Sequence, residues 1–562
     1  MSILQFKKVN CKNCYKCVRF CPVKAIEVKN HCAQIIEEDC ILCGTCTIVC
    51  PQSAKEDISD IPLLAEALRA GKTVIASIAP SIAAYFNITC TDMKEALKKL
   101  KFSDAFETAE GACLVKTEYE KLILENPENV YISSCCSSVN TYVRKYHPEA
   151  IPFLAPVITP LQAHAKLLKE RFPDALIAFI GPCISKKAER LEAASEVDFV
   201  ITFDEMKEFF GVSDISLPFH EDTQKEEKLL SRIFPTSGGI LETLKKVSEH
   251  TYLSVDGFDN CVQAINDVCE GTMRSCFIEM SMCQGSCIGG PSFRKGHYSQ
   301  LSSERKVKHM SSVKKHTEDF HIDTNISLSA AFSSRKIVRK PPGELEIAAI
   351  LGKMGKNTAE DELNCSMCGY SSCREKAIAV FLGKAEITMC LPYMKERAES
   401  FSEKIINITP NAILTVDMNL KVQQINQSAC KIFGLRCEDI VNQPVSRILD
   451  EFDFVNMIST DTAQNDKYCY LADYNVYLEQ TFLYDKNNSI VICIMKDITG
   501  IRQKRNQIMQ SKKQAAAMAD AIADRQLRVV HEIAALLGET AAETKIAIYD
   551  LKETILMDDR EL

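Results

Sequence analysis

Two short runs of cysteine constrain this chain more than anything else in it. CKNCYKCVRFCP carries Cys11, Cys14, Cys17 and Cys21 before Pro22, and CILCGTCTIVCP carries Cys40, Cys43, Cys46 and Cys50 before Pro51. This is a C-x2-C-x2-C-x3-C-P spacing, present twice. Three thiolates so spaced wrap one 4Fe-4S cluster in a tight loop, and the fourth crosses to a second cluster. A pair of zinc knuckles is the competing reading, but zinc takes four ligands per site and seldom uses eight in a doubled pattern with both prolines.

The doubled run resembles that of two-cluster bacterial ferredoxins, in a region spanning 1–58. The resemblance implies that Cys11, Cys14, Cys17 and Cys50 hold one cluster and Cys40, Cys43, Cys46 and Cys21 the other. Cys32, between the runs, reads as a buried thiol. A net charge of -8 gives no nucleic-acid-binding surface. No apolar run approaches the ~18 residues that span a bilayer, and MSILQFKKVN lacks a signal-peptide core. No membrane association and a cytoplasmic location are expected, and there 27 cysteines hold metal rather than form disulfides. At 562 residues, three or more domains are expected.

From residue 59 to 296 the texture changes. KTVIASIAP, NVYISSC, DALIAFIGPC and VDFVITF read as buried strands, with helices such as CTDMKEALKKL and TPLQAHAKLLKERF between them. The alternation predicts a mostly parallel α/β sheet with its site outside the strands' carboxyl ends. Two strands end on cysteine, at SSCC (Cys135, Cys136) and GPC (Cys183). FIEMSMCQGSC adds Cys283 and Cys287. Adjacent thiols in extended backbone face opposite ways, so Cys135 and Cys136 serve different partners.

SSCCSSV, GPCISKKAE and FIEMSMCQGSC resemble, in this order, the three signature segments of the iron-only (FeFe) hydrogenases. The resemblance implies that Cys136, Cys183, Cys283 and Cys287 hold the 4Fe-4S part of an H-cluster. Cys287 would bridge to a diiron unit carrying carbonyl, cyanide and an amine dithiolate. Lys186 matches a lysine that hydrogen-bonds cyanide, Glu279 and Glu189 match nearby carboxylates, and Cys135 matches a proton-relay thiol. A solvated surface charge is the other reading of Glu189, and a small packed residue the other reading of Cys135.

This chain also departs from that family. Ser137, Ser138 and Val139 follow the cysteine pair where Pro and Trp are usual. Gly181 and Ser281 stand in methionine places, and Ala155 in that of a serine. The family's E-x-x-E carboxylates fall on Tyr119 and Leu122, while Glu118 and Glu120 are out of register by about 100° of helix. A relay without its outer links predicts slow proton transfer.

Residues 297–340, rich in Ser, Lys and His, read as a linker or meandering surface segment. In 341–396, Cys365, Cys368, Cys373 and Cys390 resemble a small four-cysteine domain binding one further 4Fe-4S cluster, with zinc as the alternative. Cys373 is expected near a helix start. Residues 397–500 resemble a PAS domain, with Cys430, Cys437, Cys469 and Cys493 as core residues. In the helical tail, 501–562, Ile501, Ile508, Ala515, Ile522, Val530, Ile533 and Leu537 recur at helical or heptad-like spacing, consistent with a dimer seam. Gly538 and Thr540–Glu543 mark a break before a second, capped helix, and His531 reads as an ordinary surface histidine.

The expected fold is therefore a multidomain α/β chain: ferredoxin module, hydrogenase-like α/β domain, small FeS domain, α+β PAS domain and C-terminal helices. Three functions compete. The favoured one is a sensory hydrogenase that reacts slowly with dihydrogen, acts as a homodimer through its PAS domain and C-terminal helices, and signals to a separate kinase or phosphatase. The others are a working hydrogenase exchanging electrons with ferredoxin and a non-catalytic hydrogenase-like iron–sulfur protein.

Overall fold

The computed structural model describes residues 3–7, 10–192, 195–218, 230–311, 322–460, 464–534 and 541–557. The chain forms two compact units, Met1–Met394 and Lys395–Leu562.

In the first unit the doubled cysteine motif folds as a doubled structure. Each run enters a five-residue helix, Lys16–Phe20 or Thr45–Val49, through a left-handed residue, Tyr15 at φ 54° or Gly44 at φ 74°. The positive φ turns the cysteine loop back on itself, which glycine does without strain and tyrosine does not. A Cβ on Gly44 would lie 2.4 Å from Pro291 Cγ, so this loop sits directly against the active-site domain.

All four predicted strands form, at Val74–Ile78, Val130–Ile132, Leu176–Gly181 and Phe199–Thr202. They do not share one sheet. Asp104–Glu107, Val74–Ile78, Leu176–Gly181 and Phe199–Thr202 make a parallel sheet in that order. Val130–Ile132 instead joins a second parallel sheet, beside Cys276–Ser281 and then Thr251–Asp256. Near-continuous apolar strands are what two-sided burial requires, but strand sequence does not say which strands pair. The predicted helices form at Cys90–Lys99 and Pro160–Arg171.

Residues 297–340 are not a linker throughout. Gln300–Ser311 is a helix that buries Val307 and Met310. Residues 322–340 then lie along the domain: Ala330 N donates to Pro156 O, Ile158 N to Leu328 O and Arg335 N to Arg144 O. A few apolar residues and a backbone free to pair outweigh the polar composition. The four-cysteine module follows, with helices Glu344–Lys353 and Cys373–Phe381.

The second unit holds a five-stranded antiparallel sheet in the order Val422–Ile425, Ala412–Asp417, Ile490–Asp497, Val476–Asp485, Gln464–Leu471. Asn426 caps the helix Gln427–Phe433 by accepting from Ala429 N, and its amide also donates to two backbone carbonyls. Cys493 is buried and Cys469 packs beside this core. Cys430 and Cys437 form a disulfide, against the expectation of free core thiols; seven residues apart, they meet where the helix Gln427–Phe433 turns into the next one. The tail contains the helices Thr499–Ala534 and Ala541–Met557, tied by Lys552 to Asp520 at 2.6 Å. Ile501, Ile508 and Ile522 stay exposed along the longer one. Leu537, Gly538 and Thr540 lie outside the described residues.

Candidate active site

The two parallel sheets bring the signature segments together by ending their strands on the same side. Beyond Ile132, Ser133 N donates to Ile278 O and Met280 N to Ser133 Oγ at 3.0 Å, fixing the first cysteine segment to the strand that leads to Cys283. Cys136 then caps the helix Ser137–Tyr146, where the helix dipole favours a thiolate. Cys183 follows Leu176–Gly181, and Cys283 and Cys287 follow Cys276–Ser281.

Cys136, Cys183, Cys283 and Cys287 line one pocket, with Leu42 and Cys43 of the ferredoxin-like region in its wall. Burial, followed by repulsion from neighbouring thiolates, pushes the Cys287 thiol up to about 12 and raises Cys283 well above the usual range. Four thiols gathered at one pocket fit a positively charged metal centre, which offsets the repulsion between their ionised forms.

The cations and carboxylates around the pocket are anchored. Lys186 Nζ donates to Glu189 Oε1 at 2.6 Å and to Cys135 O at 3.2 Å. Burial pulls the Lys186 ammonium down, but Glu189 and the adjacent thiols more than offset this and hold it above its ordinary value. Glu189 is only 5% exposed, not a surface charge. It also accepts from Ser137 Oγ and, at 2.6 Å, from Thr159 Oγ1. Glu279, 1% exposed, accepts from Ile240 N and Leu241 N at 3.0 and 3.1 Å. Burial pushes its carboxyl up to about 7 against these backbone donors.

Cys135 faces another way, as its alternation with Cys136 requires. Burial pushes its thiol up to about 12, with Tyr119 and Lys186 opposing. Its partner is Tyr119, with Sγ 3.3 Å from the phenol oxygen. Tyr119 Oη also lies 2.9 Å from Ser134 Oγ and accepts from Ser134 N, while Ser134 Oγ donates to Val157 O at 2.6 Å. Sequence reasoning placed Tyr119 in the relay region but missed this contact. The available signal was Val115, Tyr119 and Ile123 at four-residue spacing, which marks one buried face of a helix. Glu118 turns to Lys121 at 2.5 Å. Glu120 turns to Lys116 and Lys245 N. Neither contacts Cys135 in these bonds.

The methionine places are closed by other means. A Cβ on Gly181 would lie 2.4 Å from Phe179 Cζ and 3.2 Å from Ala79 Cβ, so Phe179 fills that space. Ser281 Oγ pairs with Ser286 Oγ at 3.0 Å. Ala155 is fully buried, with its N–H on Ile132 O.

In the ferredoxin-like region, the thiolates that raise Cys21 are Cys43 and Cys40, after burial. Those acting on Cys17 are Cys50 and Cys14, again after burial, and Lys55 opposes them. Cys365, Cys368, Cys373 and Cys390 line a further pocket, and Cys373 opens a helix, as its sequence predicts.

Comparison with known proteins agrees in outline. Residues 72–291 match the C-terminal domain of the iron-only hydrogenase large subunit, and 33–56 match a 4Fe-4S binding domain. Residues 361–392 match an Fe–S cluster family, and 410–508 a PAS domain. The periplasmic [Fe] hydrogenase large subunit of Nitratidesulfovibrio vulgaris is 25% identical over 370 residues, 48% of this chain and 87% of that protein. The cytosolic Fe-S cluster assembly factor NAR1 of Kluyveromyces lactis is 29% identical over 206 residues, 32% of this chain and 42% of that one. A solved [FeFe]-hydrogenase HydA1 variant from Chlamydomonas reinhardtii aligns at 15% identity over 50% of this chain and all of its own, with a TM-score of 0.37. Among the described residues no helix is long and apolar enough to cross a membrane. Residues 72–291 thus match the C-terminal domain of the iron-only hydrogenase large subunit, alongside matches to 4Fe-4S, Fe–S cluster and PAS domains elsewhere in the chain.

Proposed function

We propose that this chain is a sensory iron-only hydrogenase, which reacts slowly and reversibly with dihydrogen and relays its redox state through iron–sulfur clusters and the PAS domain to a separate kinase or phosphatase. Cys136, Cys183, Cys283 and Cys287 would hold the 4Fe-4S part of the H-cluster, whose diiron part would sit beside it. Lys186, charged and held in place by Glu189, would donate to a cyanide, a charge-assisted bond. Glu279 would brace the segment carrying Cys283. The two ferredoxin-type sites and the four-cysteine site would each hold a 4Fe-4S cluster and exchange electrons with a carrier such as ferredoxin.

The H-cluster, when bound, supplies dihydrogen binding and heterolytic cleavage. The chain's own task is to remove the proton, and Cys135 would take it. The observation that carries the slow, sensory reading is where the hydrogen bonds then lead. Ser134 Oγ spends its proton on Val157 O, so it must accept from Tyr119. Tyr119 has then spent its own proton and must accept from Cys135. The chain Cys135 to Tyr119 to Ser134 ends on a peptide carbonyl, which passes no proton on. Tyr119 and Ser134 are fully buried, and among the described residues no carboxylate joins this hydrogen-bonded chain, Glu279 acting on the Cys135 thiol only through space. A high-flux enzyme needs an exit that this arrangement closes.

Similarity to the NAR1 assembly factor favours a second reading, in which the scaffold does no hydrogen chemistry. Infrared spectroscopy of protein loaded anaerobically with the diiron unit, first under argon and then under hydrogen, separates the two. Carbonyl and cyanide bands that shift under hydrogen, with low turnover, are expected. Failure to load, or bands indifferent to hydrogen, would sink the sensory reading.

A further inference from the structure

The four-cysteine module is docked on the first half of the ferredoxin-like region. Arg19 donates to the carbonyls of Ser366 at 3.1 Å and Met367 at 3.4 Å, and Lys24 to that of Gly369 at 3.1 Å. These carbonyls belong to the loop that carries Cys365 and Cys368. Gly369 sits at φ +92°, and a Cβ there would come within 3.0 Å of Val18 Cβ, on the helix that carries Cys17. The cysteine loop of one site thus lies in contact with the cysteine helix of the other.

The intervening space is filled by Tyr370, 2% exposed and packed in one apolar cluster with Cys17, Cys21 and Cys368. Two ammonium groups, Lys24 and Lys376, stand 5.8 and 5.6 Å from its ring centroid. Lys376 is itself buried and donates to Glu386 O. Buried positive charge beside a thiolate-ligated centre favours the form holding one more electron. Asp39, 1% exposed and adjacent to Cys40, locks the dock by accepting from Lys384 of the module at 2.6 Å and from both nitrogens of the Arg339 fork at 2.8 and 2.6 Å.

At the other end of the ferredoxin-like region, Cys43 forms part of the active-site pocket wall. The thiol sites therefore form a row of three: the active-site pocket, the ferredoxin-like region, and the four-cysteine module, which packs against thiols of both ferredoxin-type sites, Cys17 and Cys21. Cys390, the last thiol of the row, is followed at once by the helix Leu391–Ile408, the segment that leads in sequence to the PAS strands.

We propose that the four-cysteine module is the electron terminal of this row, filled from the ferredoxin-like region across Tyr370. The proposal rests on the sensory reading only for the source of the electrons. One dihydrogen yields two protons and two electrons. One electron takes the module's cluster from the 2+ to the 1+ state, the other does the same at a ferredoxin-type cluster, and both protons pass to the buffer.

The test needs no dihydrogen. Full-length protein reconstituted with 4Fe-4S clusters but without the diiron unit is reduced with dithionite and read by electron paramagnetic resonance. Neighbouring 1+ clusters each carry an unpaired spin and split one another's signals. Beyond the coupling among the ferredoxin-type clusters themselves, the wild-type spectrum should show a further splitting that is lost in Cys365→Ala, which removes the module's cluster. Gly369→Val, which keeps every cysteine but forces the loop off Val18, should weaken it. A wild-type spectrum equal to that of Cys365→Ala plus one isolated signal overturns the proposal, as does full coupling retained in Gly369→Val. Infrared bands indifferent to hydrogen would sink the sensory reading and leave this result untouched.

Discussion

In one wall of side chains beside the four-thiol pocket, Glu189 gathers Lys186, Ser137 and Thr159 around a buried carboxylate. In a second, Cys135 meets Tyr119 and Ser134, neutral hydroxyls whose chain stops at a carbonyl. The first wall keeps a full charge fixed where an anionic ligand needs a donor. The second offers a proton a place to land and, among the described residues, no charged group hydrogen-bonded along its chain to receive it next. The contrast teaches that holding the cofactor and serving it with protons are separable. On the proposed reading, this chain preserves the first function while its Cys135 path offers no fast proton exit. Ser137 fits this view, since the position that departs from the family pattern gives Glu189 an additional donor.

The comparison breaks most completely at its shared centre. Cys287→Ala should abolish diiron loading, read as the absence of carbonyl and cyanide infrared bands. Next comes the charged wall. Glu189→Gln leaves Lys186 buried without its counter-charge, a change that costs about 3–5 kcal/mol, so thermal denaturation should show a clear loss of stability in the cofactor-free protein.

Glu279 adds a pH dependence of about 3 kcal/mol, taking its rise from the ordinary value of 4.5 to about 7 at ~1.4 kcal/mol per pH unit. The folded carboxyl is harder to ionise than the unfolded one. Its contribution is therefore fully present below pH 4.5 and is lost as pH rises through about 7. Melting temperatures across pH 4–8 should show this fall in wild type and a flatter profile in Glu279→Gln. Smaller still is Gly181→Met. Restoring the family methionine should not restore speed, because Phe179 holds that space. Overpacking should lower stability by about 1–3 kcal/mol, and Phe179→Ala in the same chain should recover part of it in a double-mutant melt.

What could be read from the sequence was local or periodic. The eight ferredoxin-type cysteines and the strand-end thiols announce themselves by spacing, and the four strands by their apolar runs. The PAS strands at Ala412–Asp417 and Val476–Asp485 announce themselves by alternation. What could not be read depends on partners far along the chain. Arg339 pairs with Asp39 across 300 residues, and Ser137 finds Glu189 across 52. No local pattern assigns Val130–Ile132 to a second sheet, or tells a docked segment near residue 330 from a free one. Tyr119 is an intermediate case: helical spacing marks it as buried, but only the fold supplies Cys135 and Ser134.

The central claim, that the Cys135 chain is closed, is tested most directly by the hydrogen-oxidation rate of diiron-loaded wild type beside Tyr119→Phe, which removes the middle hydroxyl and little else. A closed chain predicts slow turnover in both, equal within about twofold. Fast turnover in wild type, or a loss of about tenfold in Tyr119→Phe (~1.4 kcal/mol), would contradict it and make Tyr119 a working proton carrier.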